Sequence, residues 1–191
     1  MSVFTPVPES VLADWLKDYA IGRLVELEGI SAGVQNSNFF VTTTLGRYVL
    51  TLFEGIPRAE LPYYLHLMAH LSRHGLPVPG PIANRHNEYL GTLQERPAAL
   101  VVRLSGRSEM SPGLAHCGRV GAMLAGLHLA GQSYGRRQEN PRGAAWRAAT
   151  AQVLRPFLPA DEQTLLDAEI AFQATIDVAA LPAGAIHADL F

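Results

Sequence analysis

Phe39-Phe40-Val41-Thr42-Thr43-Thr44-Leu45-Gly46-Arg47-Tyr48-Val49-Leu50-Thr51-Leu52-Phe53 reads as two strands around a turn. Phe39–Thr43 and Tyr48–Phe53 are rich in β-branched and aromatic residues, which fit a pleated, half-buried surface. Leu45-Gly46 marks a tight turn between them, so the spacing predicts a hairpin. Outward from it, Leu24–Ile30 reads as a preceding strand, and Glu88–Leu93 and Ala98–Leu104 as weaker later ones. A helix is predicted over 9–20, where Val11, Leu12, Trp15, Leu16 and Tyr19 recur at helical spacing and Gly22 follows as a stop. A second is predicted over 58–74, with Leu61, Leu65, Met68 and Leu71 on one face and Gly75 ending it. Leu76-Pro77-Val78-Pro79-Gly80-Pro81 is excluded from helix, because proline removes a donor and fixes φ.

From Ser111 onward the chain reads as helices alone. They are expected over 112–130, 144–154 and 161–177, the last opened by Asp161 as a cap. On the first of these, Leu114, Cys117, Val120, Gly121, Leu124 and Leu127 share a face, so Cys117 reads as a small core residue. Strands with helices followed by helices alone indicate an α+β arrangement or two lobes. The boundary is placed at Ser105-Gly106-Arg107, giving 1–104 and 105–191.

Composition narrows the function. The chain has 191 residues, 48% hydrophobic and 17% charged, with a net charge of −2. It has the means to bury a core, and its charge offers no basic excess for nucleic acid or an anionic membrane. Its one cysteine excludes an internal disulfide, which suits a cytoplasmic setting. No apolar run approaches the ~20 residues of a membrane span.

Three groups of residues could carry chemistry. Ile186-His187-Ala188-Asp189-Leu190 contains His-x-Asp, which on its own is a weak signal and reads first as a surface turn. Protein-kinase-type phosphotransferases use His-Arg-Asp-Leu-x-x-x-Asn, in which the Asp accepts the attacking hydroxyl's proton and the Asn holds Mg²⁺. Gly33-Val34-Gln35-Asn36-Ser37-Asn38, between two strands, could turn backbone N–H groups toward phosphates, or be an ordinary hairpin turn. It is neither a Walker loop nor Gly-x-Gly-x-x-Gly. His66, His70 and His74 share a helix face but lack a carboxylate at matching spacing, and read as a polar face.

Taken in order, these motifs resemble the N-terminal part of bacterial homoserine kinases of the choline-kinase/aminoglycoside-phosphotransferase superfamily. The resemblance rests on Gly33-Val-Gln-Asn36-Ser-Asn38-Phe-Phe, Gly46-Arg-Tyr-Val-Leu-Thr-Leu-Phe-Glu54 and Glu60-Leu-Pro-Tyr-Tyr-Leu. It continues through Gly75-Leu-Pro-Val-Pro-Gly-Pro, Leu124-Ala-Gly-Leu-His128-Leu-Ala-Gly131 and Ile186-His-Ala-Asp-Leu-Phe191. It implies a bilobal protein-kinase-like fold: a small nucleotide-binding lobe with an antiparallel sheet plus helices, then an incomplete helical lobe. The implied reaction moves the γ-phosphoryl of MgATP to the side-chain hydroxyl of L-homoserine, a step toward threonine. The alternatives are a kinase for an aminoglycoside, choline or a sugar, and a nucleotide-binding module without turnover.

By position, the resemblance makes Asp189 the catalytic base and His187 the residue that shapes its loop. Gly33, Asn36 and Ser37 are implied near the phosphates, and Glu60 in place of the small-lobe helix glutamate. Thr51 stands where many kinases carry Lys or Arg. The metal-binding Asn is expected beyond residue 191, so the chain as written is expected to be a poor catalyst and marginally stable.

Overall fold

The computed structural model describes residues 3–31 and 35–187. It divides into two compact units, residues 1–135 with 186–191, and residues 136–185.

The hairpin organises the first unit. Strands β1 (Leu24–Gly29), β2 (Asn36–Thr43), β3 (Gly46–Phe53), β4 (Gly91–Leu93) and β5 (Arg96–Val102) form one antiparallel sheet in the order β1-β2-β3-β5-β4. β2 pairs with β3 from Asn36↔Phe53 to Thr43↔Gly46, so Thr44 and Leu45 form the turn and Gly46 already belongs to β3. β2 begins three residues earlier than its apolar run predicts. Asn36, Ser37 and Asn38 have weak β preference, but β3 supplies a full ladder for them.

Burial alternates along these strands, as a period of two requires. Ser37, Phe39, Val41 and Thr43 of β2, and Tyr48, Leu50 and Leu52 of β3, point to the core face. Against them lie Leu12 of helix α1 (Glu9–Trp15) and Leu16 of the single 3₁₀ turn that follows it. Fully burying a leucine stabilises the fold by about 1.5–3 kcal/mol, and Leu12, Leu50, Leu52 and Leu100 are completely enclosed. Tyr19 lies in the same core. Burial, with Asp18 and Glu88 adding negative charge, pushes its phenol well above the usual tyrosine range, so it stays neutral. Gly22 adopts φ +84°, and a Cβ there would meet Thr44 Oγ1, so only glycine fits this corner.

Helix α2 (Leu61–Arg73) buries Leu61, Leu65, Ala69 and Leu71, with Met68 half-buried. It ends at Gly75, φ +77°, where Leu76 N–H donates back to Leu71 O over 3.3 Å. The proline segment after it is non-helical and bridges the sheet at Pro81↔Val101. Helix α3 (Leu114–Gly131) packs on α2 through its C-terminal part. His70 Nε2 lies 3.0 Å from Ala130 O and 3.1 Å from Ser133 Oγ, and Tyr134 donates to Tyr63 O over 2.8 Å. The expected apolar face of α3 is covered only at that end. Leu127 is buried, whereas Leu114 and Cys117 are exposed, because no described residue of this unit lies over the first turns.

The second unit contains α4 (Ala144–Leu154) and α5 (Ala160–Ala174), joined by an ion pair between Arg155 and Asp167. Pro159, not Asp161, occupies the N-cap of α5. Asp161 sits inside the first turn, where its charge still favours the helix N-terminus. Leu165 and Phe172 of this unit are exposed. No helix among the described residues is long and apolar enough to cross a membrane.

Candidate functional site

The start of β2 carries two different surfaces. Alternation turns Ser37 to the core side and Asn36 and Asn38 to the opposite face. On that opposite face Asn38 pairs with Thr51 of β3, and Thr51 Oγ1 donates to Asn38 Oδ1 over 2.8 Å. Asn38 Nδ2 lies 3.4 Å from Asn36 O, and Asn36 Oδ1 accepts the Glu54 N–H over 3.3 Å. The result is a strip of carboxamides and a hydroxyl without net charge. Such groups can orient phosphate oxygens but cannot neutralise them.

Ser37 works behind the strip. Its buried hydroxyl accepts N–H groups from Phe4 at 2.8 Å and Thr5 at 2.9 Å, and donates to Glu54 Oε1 over 2.7 Å. Glu54 Oε2 in turn meets Arg96 Nε at 3.2 Å. One hydroxyl therefore ties the N-terminal segment, the end of β3 and the start of β5 to β2. Ser37→Ala would orphan two donors and one carboxylate contact at once. Leaving a buried group unsatisfied costs about 1–3 kcal/mol, so we expect a loss in that range, read as a lower urea midpoint at unchanged slope.

Glu60 sits at the N-cap of α2, half-buried, with its N–H bonded to Pro57 O over 3.0 Å. Among the described residues no hydrogen bond joins it to the Asn36–Asn38–Thr51 strip. His187 lies in exposed irregular backbone. Gly33 and Asp189 lie outside the described residues.

Two residues of this region escaped the sequence reading as site candidates, while Asn38 stood within the Gly33–Asn38 group already weighed for phosphates. Glu54 stood inside a quoted motif, and the polar residue closing an apolar strand was its available signal. Arg103 gave none, because only the folded sheet brings its guanidinium over the Phe40 ring, 3.7 Å from the centroid. As for metals, no three His, Cys, Asp or Glu side chains gather into a metal-holding group among the described residues. The His70 and His74 rings lie 4.3 Å apart between centroids, tilted by 41°, and His70 faces the end of α3.

The chain has well-matched relatives. The homoserine kinase of Paraburkholderia xenovorans (strain LB400) is 49% identical over 195 aligned positions, which take in 100% of this chain and 59% of that protein. The homoserine kinase of Burkholderia multivorans (strain ATCC 17616 / 249) is 48% identical with the same coverage. The chain thus spans 59% of the length of these relatives. Among solved structures, a spectinomycin phosphotransferase in complex with ADP and spectinomycin superposes with a TM-score of 0.64 at 12% identity, covering 97% of this chain and 64% of that one. An amicoumacin kinase in complex with AMP-PNP and Ca²⁺ gives 0.66 at 15% identity, covering 95% and 58%. The α+β, kinase-like fold is shared with these enzymes. Residues 26–191 match the model of the phosphotransferase enzyme family known as APH, and it is to this family that the chain belongs.

Proposed function

We propose that this chain forms part of an ATP-dependent homoserine kinase, with residues 1–104 as the nucleotide-binding lobe and 105–191 leading through the helical lobe into the catalytic loop. The observation that carries the acceptor is the 49% identity, over the whole chain, to a homoserine kinase. In this reading Asp189 takes the proton from the L-homoserine hydroxyl as its oxygen forms the new bond to the γ-phosphorus. The bond to the β–γ bridging oxygen breaks and ADP leaves. His187 shapes the loop that holds Asp189. Gly33, Asn36 and Thr51 face the phosphates, Ser37 fixes the strand that presents Asn36, and Glu60 marks the helix entry beside them. Mg²⁺ would supply charge neutralisation, its ligands lying outside the described residues. Catalysis of this kind consists mainly of positioning and electrostatics.

The test is a coupled assay of ADP release by the complete gene product. L-Homoserine should stimulate release to a turnover in the usual kinase range of about 1–100 s⁻¹. Spectinomycin, choline and simple sugars at equal concentration should not. Release that ignores millimolar homoserine, or that follows another acceptor, rejects the proposal.

A further inference from the structure

A cavity of about 630 Å³ opens between the N-terminal half of α2 and the segment leading into β4. It shares no residue with the Asn36–Asn38–Thr51 strip. Its floor is apolar, made by Pro62, the buried Leu65 and Leu90. The His66 and Tyr89 rings line it as well, edge to face at 5.3 Å between centroids. Two opposite charges stand at its rim, Arg58 and Glu88. Arg58 Nη1 donates to Gly91 O and to Thr92 Oγ1, each over 3.1 Å, which fixes the guanidinium against β4. Its other edge, Nε–H and Nη2–H, has no partner among the described residues. Asn84 holds Glu88 in turn. Its Oδ1 accepts the Glu88 N–H over 2.9 Å, and its Nδ2 donates to Glu88 Oε2 over 3.1 Å, which leaves Oε1 open. Among the described residues the two charges pair neither with each other nor with any third group.

An open guanidinium edge takes a carboxylate through two parallel hydrogen bonds. An open carboxylate takes an ammonium. Gly91, whose carbonyl holds Arg58, stands three residues after Glu88, at most about 11 Å along the chain. One α-carbon between a carboxylate and an ammonium, with a charge-assisted hydrogen bond of about 2.8 Å at each end, bridges a gap of that order. In a peptide the two terminal charges stand further apart. The apolar floor and the two rings are left to receive the rest of the molecule, and aromatic rings meet one another edge-on or offset. Small ligands occupy cavities of roughly 300–1,000 Å³. We infer that this cavity binds a free α-amino acid with a large apolar side chain. Its carboxylate lies on Arg58, its ammonium on Glu88, and its side chain over Pro62, Leu65 and Leu90. The site is separate from the one that takes L-homoserine in the proposed reaction. Ala59 and Pro62 also line it, so the occupant sits against the helix entry that carries Glu60.

Calorimetric titration of the complete protein with L-phenylalanine tests this, with L-phenylalaninamide, N-acetyl-L-phenylalanine and glycine as comparisons. L-Phenylalanine should bind at one site. The amide lacks the carboxylate and the acetyl compound lacks the ammonium. Each should bind at least about tenfold more weakly, the loss expected for hydrogen bonds to a charged group. Glycine, which has nothing to lay on the apolar floor, should also bind more weakly. Arg58→Gln and Glu88→Gln should each weaken L-phenylalanine by a similar factor. Both side chains are exposed, and Glu88→Gln keeps an oxygen for Asn84, so that variant decides the matter if Arg58→Gln melts early. Neither variant should change KM for L-homoserine. No binding of L-phenylalanine at millimolar concentration overturns the inference. So does equal binding of the amide or the acetyl compound, or unchanged affinity in Glu88→Gln. A rise in KM for L-homoserine that matches the loss of L-phenylalanine affinity would put both ligands in the acceptor site, and overturns it too.

Discussion

Under the proposed phosphoryl transfer, Asp189→Asn in the complete protein is expected to lower kcat by roughly 10²–10⁴-fold, the usual contribution of a positioned general base. Asparagine keeps the size and one hydrogen-bonding oxygen of aspartate but cannot take the hydroxyl's proton. Binding of ATP and homoserine should therefore survive, and both KM values should stay within a few-fold while kcat falls. Steady-state kinetics with each substrate varied in turn provides the check, alongside a thermal melt that should match wild type. A variant with near-normal kcat would take Asp189 out of the reaction. A fall in kcat accompanied by a large loss of thermal stability would point to a structural role for the loop.

The second large effect concerns the core. Leu50 stands in β3 with Phe39 beside it on β2 and Leu100 beside it on β5, all three on the face toward Leu12. Its side chain is wholly enclosed. Leu50→Ala removes that side chain from the middle of the sheet, where neighbours on both sides are fixed by ladder hydrogen bonds and cannot close the gap. The expected loss is about 2–5 kcal/mol, read by urea unfolding. Val25→Ala on β1, where the side chain is 62% exposed, should move stability by no more than about 0.5 kcal/mol. Equal effects at the two positions would contradict the core assignment.

Much of the fold is legible in the amino-acid order because it depends on local periodicity. The β2–β3 hairpin, α1 and α2 follow from alternation or helical spacing, with Gly75 as the stop. What escapes the sequence depends on partners far away. The Ser37 hydroxyl works through residues 32 and 33 positions earlier, and no local pattern marks a serine as buried rather than facing a ligand. Periodicity likewise marks an apolar face on α3 but cannot say whether a neighbour covers it, so Cys117 reads as core and is exposed. The candidate site is split in the same way. Asn36, Asn38 and Thr51 sit in recognisable motifs, whereas the ties of Thr51 to Asn38 and of Glu54 to Asn36 follow only from the strand register. That two-residue periodicity separates Ser37 from its neighbours was available in principle. It became informative only once the inner face was known.

The Ser37 anchor bears on how this protein can be handled. Phe4 and Thr5 are held by the same strand that presents Asn36 and Asn38 on its other side. A purification tag or fusion partner attached at the leading end would thus pull from behind on the strand that presents Asn36 and Asn38. Clipping the first five residues would leave the serine hydroxyl without its two donors. Tags, dyes and surface tethers belong instead outside that network, such as on the exposed Arg85-His86-Asn87 segment before β4.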